Sequence, residues 1–350
     1  LYVRNEELLK NWRRVLQNAV KLNSGSANLL LIGDSNINLA DRFYTRMRAF
    51  LNNYAATNST GWIGLADNTT SMGFTVANTG SWSFSDNTDG LSLLSLVSSS
   101  AGAFTTISST ATYNICRIHY KTTPGGGTFS WAIDGGVATN ISTNASDGTG
   151  VVTISGLTDI AHSLVLTVVS GTVELYGIVA NVNEVGIRMY KAGNDGSTSG
   201  NWANSSNSTT WKQGLTDIAP NLTLIALGSN DVFYDSTATA YETRLRQLIG
   251  NIRATGIETD ILIVACGDYG GKTADDSGEF RDVALRVAID SACAFASYFD
   301  IYKDAATNIT DGIYSDNVHF TSLGGFVNSG YIGNFLTKTL SGSSFDSRWT

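Results

Sequence analysis

LLLIGDSN, Leu29 to Asn36, decides the fold: an unbroken apolar run of β-formers that stops on Gly-Asp-Ser reads as a strand buried on both faces, as in a parallel sheet covered by helices. Such a strand presents Ser35 at its carboxyl end, where open α/β sheets gather their reactive groups. A serine hydroxyl is a poor nucleophile until a base takes its proton. The chain holds three histidines, and one of them, His319, follows Asp316 by three residues in SDNVHF. On a tight turn that spacing lets the Asp316 carboxylate accept the Nδ1 proton and aim Nε2 at a serine, the relation of orienter, base and nucleophile in a triad. A third segment, LTLIALGSND from Leu222 to Asp231, ends an apolar run in the same way. It sets Asn230 beside Ser35, where a side-chain amide can donate to a developing oxyanion.

Outward from Ser35 the hydrophobic period changes twice. Leu8, Leu9, Trp12, Val15, Leu16 and Ala19 follow helical spacing, and a second helix is expected through Leu39, Phe43, Met47, Phe50 and Leu51. From about 57 to 181 short alternating segments take over, among them FTVANT, GSWSFS, YNICRIHYK, GTFSWAID, HSLVLTVVSG and TVELYGIVANV, with Gly, Ser, Asn, Asp and Thr between them. Then helix and strand alternate again. A helix through Tyr241, Leu245, Leu248 and Ile252 precedes the strand DILIVAC, a helix from about Gly278 to Phe299 and a last helix after Ser322. The expectation is a mainly parallel α/β domain made of residues 1–56 and 183–350, interrupted by an all-β sandwich at 57–182. Insertion is tolerated where chain ends lie close together on a surface. It also explains the long gap between Ser35 and Asn230 and predicts that the sandwich stands near the catalytic rim.

The order Gly-Asp-Ser, Gly-x-Asn-Asp, Asp-x-x-His resembles the SGNH hydrolases, also called GDSL esterases. The resemblance implies a three-layer α/β/α core and a serine esterase without a cofactor. Ser35 would be the nucleophile, His319 the base and Asp316 its orienter. The oxyanion donors it implies are the Ser35 amide, a glycine amide and the Asn230 side chain. GIRMYKAGNDGSTS, Gly186 to Ser199, makes Gly193 the preferred glycine, with Gly196 the alternative. The chain departs from the family at Asn36, where an apolar residue is usual. Taken singly, Ser35 reads as well as a helix N-cap, Asp316 as a turn former and His319 as a surface loop residue; it is their joint order that favours catalysis.

Composition bounds the rest. At 350 residues the chain exceeds one typical domain of about 100 to 200 residues. With 22 Lys plus Arg against 30 Asp plus Glu, a net charge of −8 and no basic cluster, a nucleic-acid partner is not expected. Cys116, Cys266 and Cys293 have neither metal-ligand nor disulfide spacing. Cys266 falls in a strand and Cys293 on a helical face, so buried thiols are expected for both. No metal site is expected with so few histidines. No run approaches the roughly 20 apolar residues of a membrane helix, so no membrane partner is expected. LYVRNEELLKNW is unlike a secretory leader, and the lack of an initial Met suggests a processed chain or a portion of a longer one. CGDYGGKT, Cys266 to Thr273, fails the phosphate-loop pattern because Cys stands where its first glycine belongs. In the SGNH reading it is the loop after the next strand, so Asp268 and Tyr269 are candidates to face substrate. No Gly-x-Ser-x-Gly elbow surrounds Ser35, against an ordinary α/β-hydrolase.

In the β segment, Trp62, Trp82, Tyr113, Tyr120, Phe129, Trp131 and Tyr176 read as core, with one or two of them exposed for stacking on sugars. His119 and His162 are read as structural. The segment is similar in composition to carbohydrate-binding modules, and the richness in Asn, Ser, Thr and Gly with only 2 prolines resembles phage tailspikes. These likenesses imply removal of small acyl groups, acetyl first, from an acetylated polysaccharide by an extracellular or virion-associated enzyme, trimeric if tailspike-like. Two alternatives stand: a glycan-binding adhesion module without turnover, and a lipid or thioester hydrolase of the same fold.

Overall fold

A computed structural model describes residues 2–39, 41–55, 59–66, 73–182, 185–234, 236–270, 274–302 and 304–340. One sheet runs in the order Tyr2–Arg4, Ala294–Ser297, Asp260–Ala265, Leu222–Ala226, Ser26–Gly33, Gly186–Gly193. All neighbours are parallel except the edge strand Tyr2–Arg4, which is antiparallel. Successive side chains of a strand point to opposite faces. Accordingly Leu29 and Leu31 pack in one cluster with Trp12, Leu16, Met47 and Ile332, while Leu30 and Ile32 pack in another with Trp202, Trp211, Leu245 and Val283. The apolar run at 29–32 is therefore sealed between two helical layers, each side chain contributing roughly 2 kcal/mol by its burial. An α/β/α core with a mainly parallel sheet results.

Two helices differ from the periodicity. The one expected from Gly278 to Phe299 is the helix Ala274–Asp290 followed by the strand Ala294–Ser297. The break is a turn in which Ala292 takes a left-handed φ of 46° and the Cys293 amide donates to the Ala288 carbonyl. Cys293 is thus buried in the turn, off any helical face. A short apolar run such as AFAS fits a buried strand and a helix equally well, so the pattern did not separate them. The helix expected through Leu39 to Leu51 is likewise two, Ser35–Asn38 and Phe43–Leu51, because Leu39 turns to an extended ψ of 144°.

The inserted segment forms two antiparallel sheets. One orders Thr139–Ser142, Thr128–Ile133, Ser163–Ser170, Phe104–Ser109, Phe74–Thr79; the other orders Gly148–Ile154, Ile115–Thr122, Val173–Asn181, Leu94–Ser98, Ser83–Asp86, with Ser59–Gly64 also on Val173–Asn181. Their facing side chains, Ile107, Phe129, Leu164 and Leu166 from the first and Leu96, Ile118 and Leu175 from the second, make a sandwich-like core. The boundary expected at 56/57 falls on residues outside the described set, and the one at 182/183 falls between the described Val182 and a residue outside that set.

The two parts share apolar surface. Trp62, Leu91, Leu93 and Tyr176 of the insert join Tyr190, Trp202 and Trp211 of the α/β core in one buried cluster. Asp217 on the helix Thr209–Ile218 lies 3.4 Å from Arg117 and 3.1 Å from His119 of the insert. His162 bonds Asp134 at 2.7 Å and the Thr158 carbonyl at 2.8 Å, within the sandwich. No helix among the described residues is long and apolar enough to cross a membrane.

Candidate active site

The chain leaves the sheet at Gly33 and turns at once into the short helix Ser35–Asn38. A Cβ at Gly33 would sit 2.3 Å from Ile37 Cγ1 and 2.9 Å from the Ala226 carbonyl oxygen, so the reversal requires glycine. Asp34 caps the helix, its carboxylate accepting from the Asn36 amide at 2.9 Å. The N-cap reading therefore belongs to Asp34 and not to Ser35. Burial pushes the Asp34 carboxyl up to about 6 against the opposing Asn36 hydrogen bond.

Three residues distant in sequence meet at this turn. His319 Nε2 lies 3.0 Å from Ser35 Oγ, and His319 Nδ1 lies 2.7 Å from Asp316 Oδ2. The other carboxylate oxygen, Asp316 Oδ1, accepts from the amides of Val318 at 2.9 Å and His319 at 2.8 Å. Burial alone would raise the Asp316 carboxyl, but the Val318 amide and the His319 ring and amide outweigh it and hold it below the usual carboxylate range. An ionised orienter beside Nδ1 fixes the tautomer that leaves Nε2 free to accept the Ser35 proton.

Asn36, the departure from the family pattern, grips this arrangement. Its amide Nδ2 donates to the Val318 carbonyl at 3.1 Å and its Oδ1 accepts from the Phe320 amide at 3.0 Å. These are the neighbours of His319 on either side. The residue after the serine thus holds the backbone that carries the imidazole, which an apolar side chain cannot do.

The two loops that carry the expected oxyanion donors are tied to each other. Asn230 Nδ2 donates to the Ser197 carbonyl at 3.0 Å, which joins the GSND turn to the loop after Gly193 and uses one of its two amide protons. Asp231 is fully buried and accepts from the Ser199 amide at 2.8 Å and hydroxyl at 2.6 Å, anchoring the helix Ser199–Ser206. Buried Lys191 donates to Asn38 Oδ1 at 2.8 Å, and Asn38 Nδ2 donates to Asp195 Oδ1 at 3.1 Å, which steadies the same loop from below.

One expectation needs correction. Gly193 is still in the strand, paired with Gly33, and the next amide, Asn194, donates to the Gly33 carbonyl at 3.0 Å. Backbone N–H groups alternate along a strand, so the Gly193 N–H points away from the Ser35 strand. Gly196 lies instead in the exposed turn beside Ser197, with a left-handed φ of 71° that suits glycine. Asp268 and Tyr269 are buried. Asp268 Oδ2 accepts from the Ala305 amide at 3.1 Å and the Tyr269 amide donates to Ser277 Oγ at 3.0 Å, and both residues line a narrow cavity with Asp34, Asn36 and Val318 beside Ser35.

The α/β part matches the model of the GDSL-like lipase/acylhydrolase family over residues 177–325, a span that holds Asn230, Asp316 and His319; Ser35 precedes the insertion and lies outside it. A solved structure of a peptidoglycan O-acetylesterase superimposes with a TM-score of 0.76 at 18% identity, covering 95% of this chain and 97% of that chain. An active-site mutant of a family two carbohydrate esterase from Clostridium thermocellum gives a TM-score of 0.36 at 15% identity, covering 76% and 98%. One from Cellvibrio japonicus gives 0.33 at 13%, covering 80% and 96%. No curated protein sequence matches the chain. Residues 177–325 thus match the GDSL-like lipase/acylhydrolase family, within an α/β/α fold that the chain shares with the peptidoglycan O-acetylesterase structure.

Proposed function

We propose that this chain is a serine esterase that removes O-acetyl groups from a polysaccharide. The observation that carries the reading is the continuous relay from Asp316 through His319 to Ser35, with contacts of 2.7 and 3.0 Å. Ser35 Oγ gives its proton to His319 Nε2 and bonds the ester carbonyl carbon. The resulting oxyanion is held by the Ser35 amide, the Gly196 amide and the free amide proton of Asn230. The carbon–oxygen bond to the sugar then breaks and the imidazolium returns its proton to the departing sugar oxygen. Water, deprotonated by the same imidazole, releases acetate and restores Ser35.

Acetyl on a glycan is favoured because the shared fold with a peptidoglycan O-acetylesterase extends over both parts of the chain, insert included. An extracellular or virion-borne setting rests on composition alone, and a trimer would follow only from the second. The test is acetate release from O-acetylated polysaccharides together with rates on p-nitrophenyl esters of increasing acyl length. Rates are expected to fall by roughly tenfold or more between acetyl and octanoyl, the scale on which a small pocket rejects added methylenes. A rate that rises with length would favour the lipid hydrolase, and glycan binding without acetate release would favour the adhesion module.

The same mechanism gives Asn36 a measurable part. Asn36→Leu leaves the Val318 carbonyl and the Phe320 amide without their side-chain partner and frees the His319 segment to shift. A displacement on the order of 1 Å costs about a hundredfold in rate. The expected result is a kcat reduced on that scale with KM nearly unchanged. A variant with wild-type kcat would show that the grip is dispensable.

A further inference from the structure

Among the described residues five aromatic side chains are exposed, namely Phe84, Phe233, Tyr234, Phe326 and Tyr331; Phe84 stands on the strand Ser83–Asp86, and Phe233 and Tyr234 at the end of the helix Ser229–Phe233. Phe233 and Tyr234, 47% and 59% exposed, lie three and four residues after Asn230, and the Tyr234 amide donates to the Asn230 carbonyl at 3.0 Å. Their rings meet edge to face at 4.8 Å, and Phe233 leans on Tyr269 at 5.6 Å. Tyr269 in turn lines a narrow cavity with Asp34, Asn36 and Val318, the immediate neighbours of Ser35 and His319.

Phe84 comes from the inserted domain and is 51% exposed. It lies two residues before Asp86 on the strand Ser83–Asp86, so both side chains leave the same face. That face is fixed, because Asp86 Oδ1 accepts from Asn194 Nδ2 at 2.7 Å, and the next residue's Asn87 Oδ1 accepts from Asn201 Nδ2 at 2.6 Å. Phe84 is thereby turned toward the loop that bears Gly196.

The sheet order puts these rings on either side of the nucleophile. Phe233 and Tyr234 follow the strand Leu222–Ala226, Ser35 follows the strand Ser26–Gly33, and the Asn194 loop with Phe84 above it follows the strand Gly186–Gly193. The two flanks are anchored about 10 Å apart, two interstrand spacings, a distance that a short oligosaccharide bridges. The ground between them carries the exposed Asp195 and the half-buried Asn230, both polar. An acyl chain requires continuous apolar surface, whereas a pyranose needs a ring beneath its C–H face and hydrogen-bonding groups around its hydroxyls.

We propose that Phe84 of the insert and the Phe233–Tyr234 pair of the core are stacking subsites for the sugar units flanking the esterified one, so that the inserted domain completes a cleft selective for polymer. This rests on the esterase reading. The probes are O-acetylated xylan, O-acetylated peptidoglycan fragments and p-nitrophenyl acetate, used with Phe84→Ala, Phe233→Ala and Tyr234→Ala. Each substitution is expected to lower kcat/KM for acetate release from polymer roughly tenfold, the scale of one lost stacked ring, through KM. Turnover of p-nitrophenyl acetate stays at the wild-type value, and Phe84→Tyr restores the polymer rate. Wild-type polymer kinetics in all three variants, or equal losses on polymer and small ester, would overturn the assignment.

Affinity for the same glycans is measured on the inactive Ser35→Ala protein, alone and combined with each ring substitution. Failure of the esterase reading has a separate signature. The wild type then releases no acetate from polymer, yet removing a ring still weakens glycan binding, which supports the stacking sites. Glycan binding indifferent to all three rings would sink them.

Discussion

Ser35→Ala should reduce kcat on p-nitrophenyl acetate by roughly 10⁴ to 10⁶, with little change in thermal stability. The expected loss is large because Ser35 Oγ is the group to which the whole relay leads: among the described residues it is the hydroxyl that bonds His319 Nε2, 3.0 Å away. The stability expectation follows from the capping pattern. The helix Ser35–Asn38 takes its cap from the Asp34 carboxylate, which the substitution leaves in place, so the loss is about one hydrogen bond, on the order of 1 kcal/mol. A sharper form of the test is non-additivity. If Ser35 and His319 act as one unit, the double variant with His319→Ala is no slower than either single variant. Losses that multiply, or a Ser35→Ala protein within tenfold of wild type, would mean that another residue carries the acyl group.

What was legible in the sequence and what was not divides along the distance over which each contact reaches. Ser35, Asp316 and His319 stood out because each is a rare chemical type at a strand end or a turn, and the structure brings the three together. The grip of Asn36 was not legible. Its partners lie 282 and 284 residues away, and nothing local announces that a polar side chain at that position will find two backbone groups. The direction of the Gly193 amide was not legible because it depends on where a strand ends, and the strand Gly186–Gly193 runs through Gly193 itself. Asp268 and Tyr269 occupy the expected loop and line the cavity beside Ser35, although the Ala305 and Ser277 segments leave little of either in solvent.

The aromatics show the same limit. Trp62, Tyr113, Phe129 and Tyr176 are buried as large rings in a sandwich should be, Tyr120 is nearly so, and Trp82 and Trp131 are half-covered. The ring left in solvent is Phe84, on an edge strand whose pairing with Leu94–Ser98 the alternation did not reveal. The alternating pattern was sufficient to locate the two sheets and the interruption of the α/β core. It was insufficient to say which edge meets the catalytic loops, since that depends on contacts such as Asp86 with Asn194.

Asp316→Asn is expected to be as damaging as removing the side chain, and the reason is geometric. Oδ1 of Asp316 accepts from two backbone amides, those of Val318 and His319, so an asparagine must keep its carbonyl oxygen there. Its NH₂ group then faces His319 Nδ1, where Asp316 Oδ2 stood at 2.7 Å. A donor in that place forces Nδ1 to become the acceptor and moves the ring proton to Nε2. An Nε2–H donates to Ser35 Oγ and takes no proton from it, so the hydroxyl is not activated. The loss of the imidazolium's counter-charge acts in the same direction, because the native carboxyl is held below its usual range and stays ionised at neutral pH. Together these effects predict a kcat reduced by about 10⁴. Asp316→Ala, which leaves Nδ1 open to water and the tautomer free, should fall no further than Asp316→Asn. Steady-state rates on p-nitrophenyl acetate and the ¹⁵N shifts of the His319 ring check both halves of the argument. An asparagine variant that keeps the proton on Nδ1, or that outperforms the alanine variant by more than tenfold, would show that the orientation of the ring is set elsewhere.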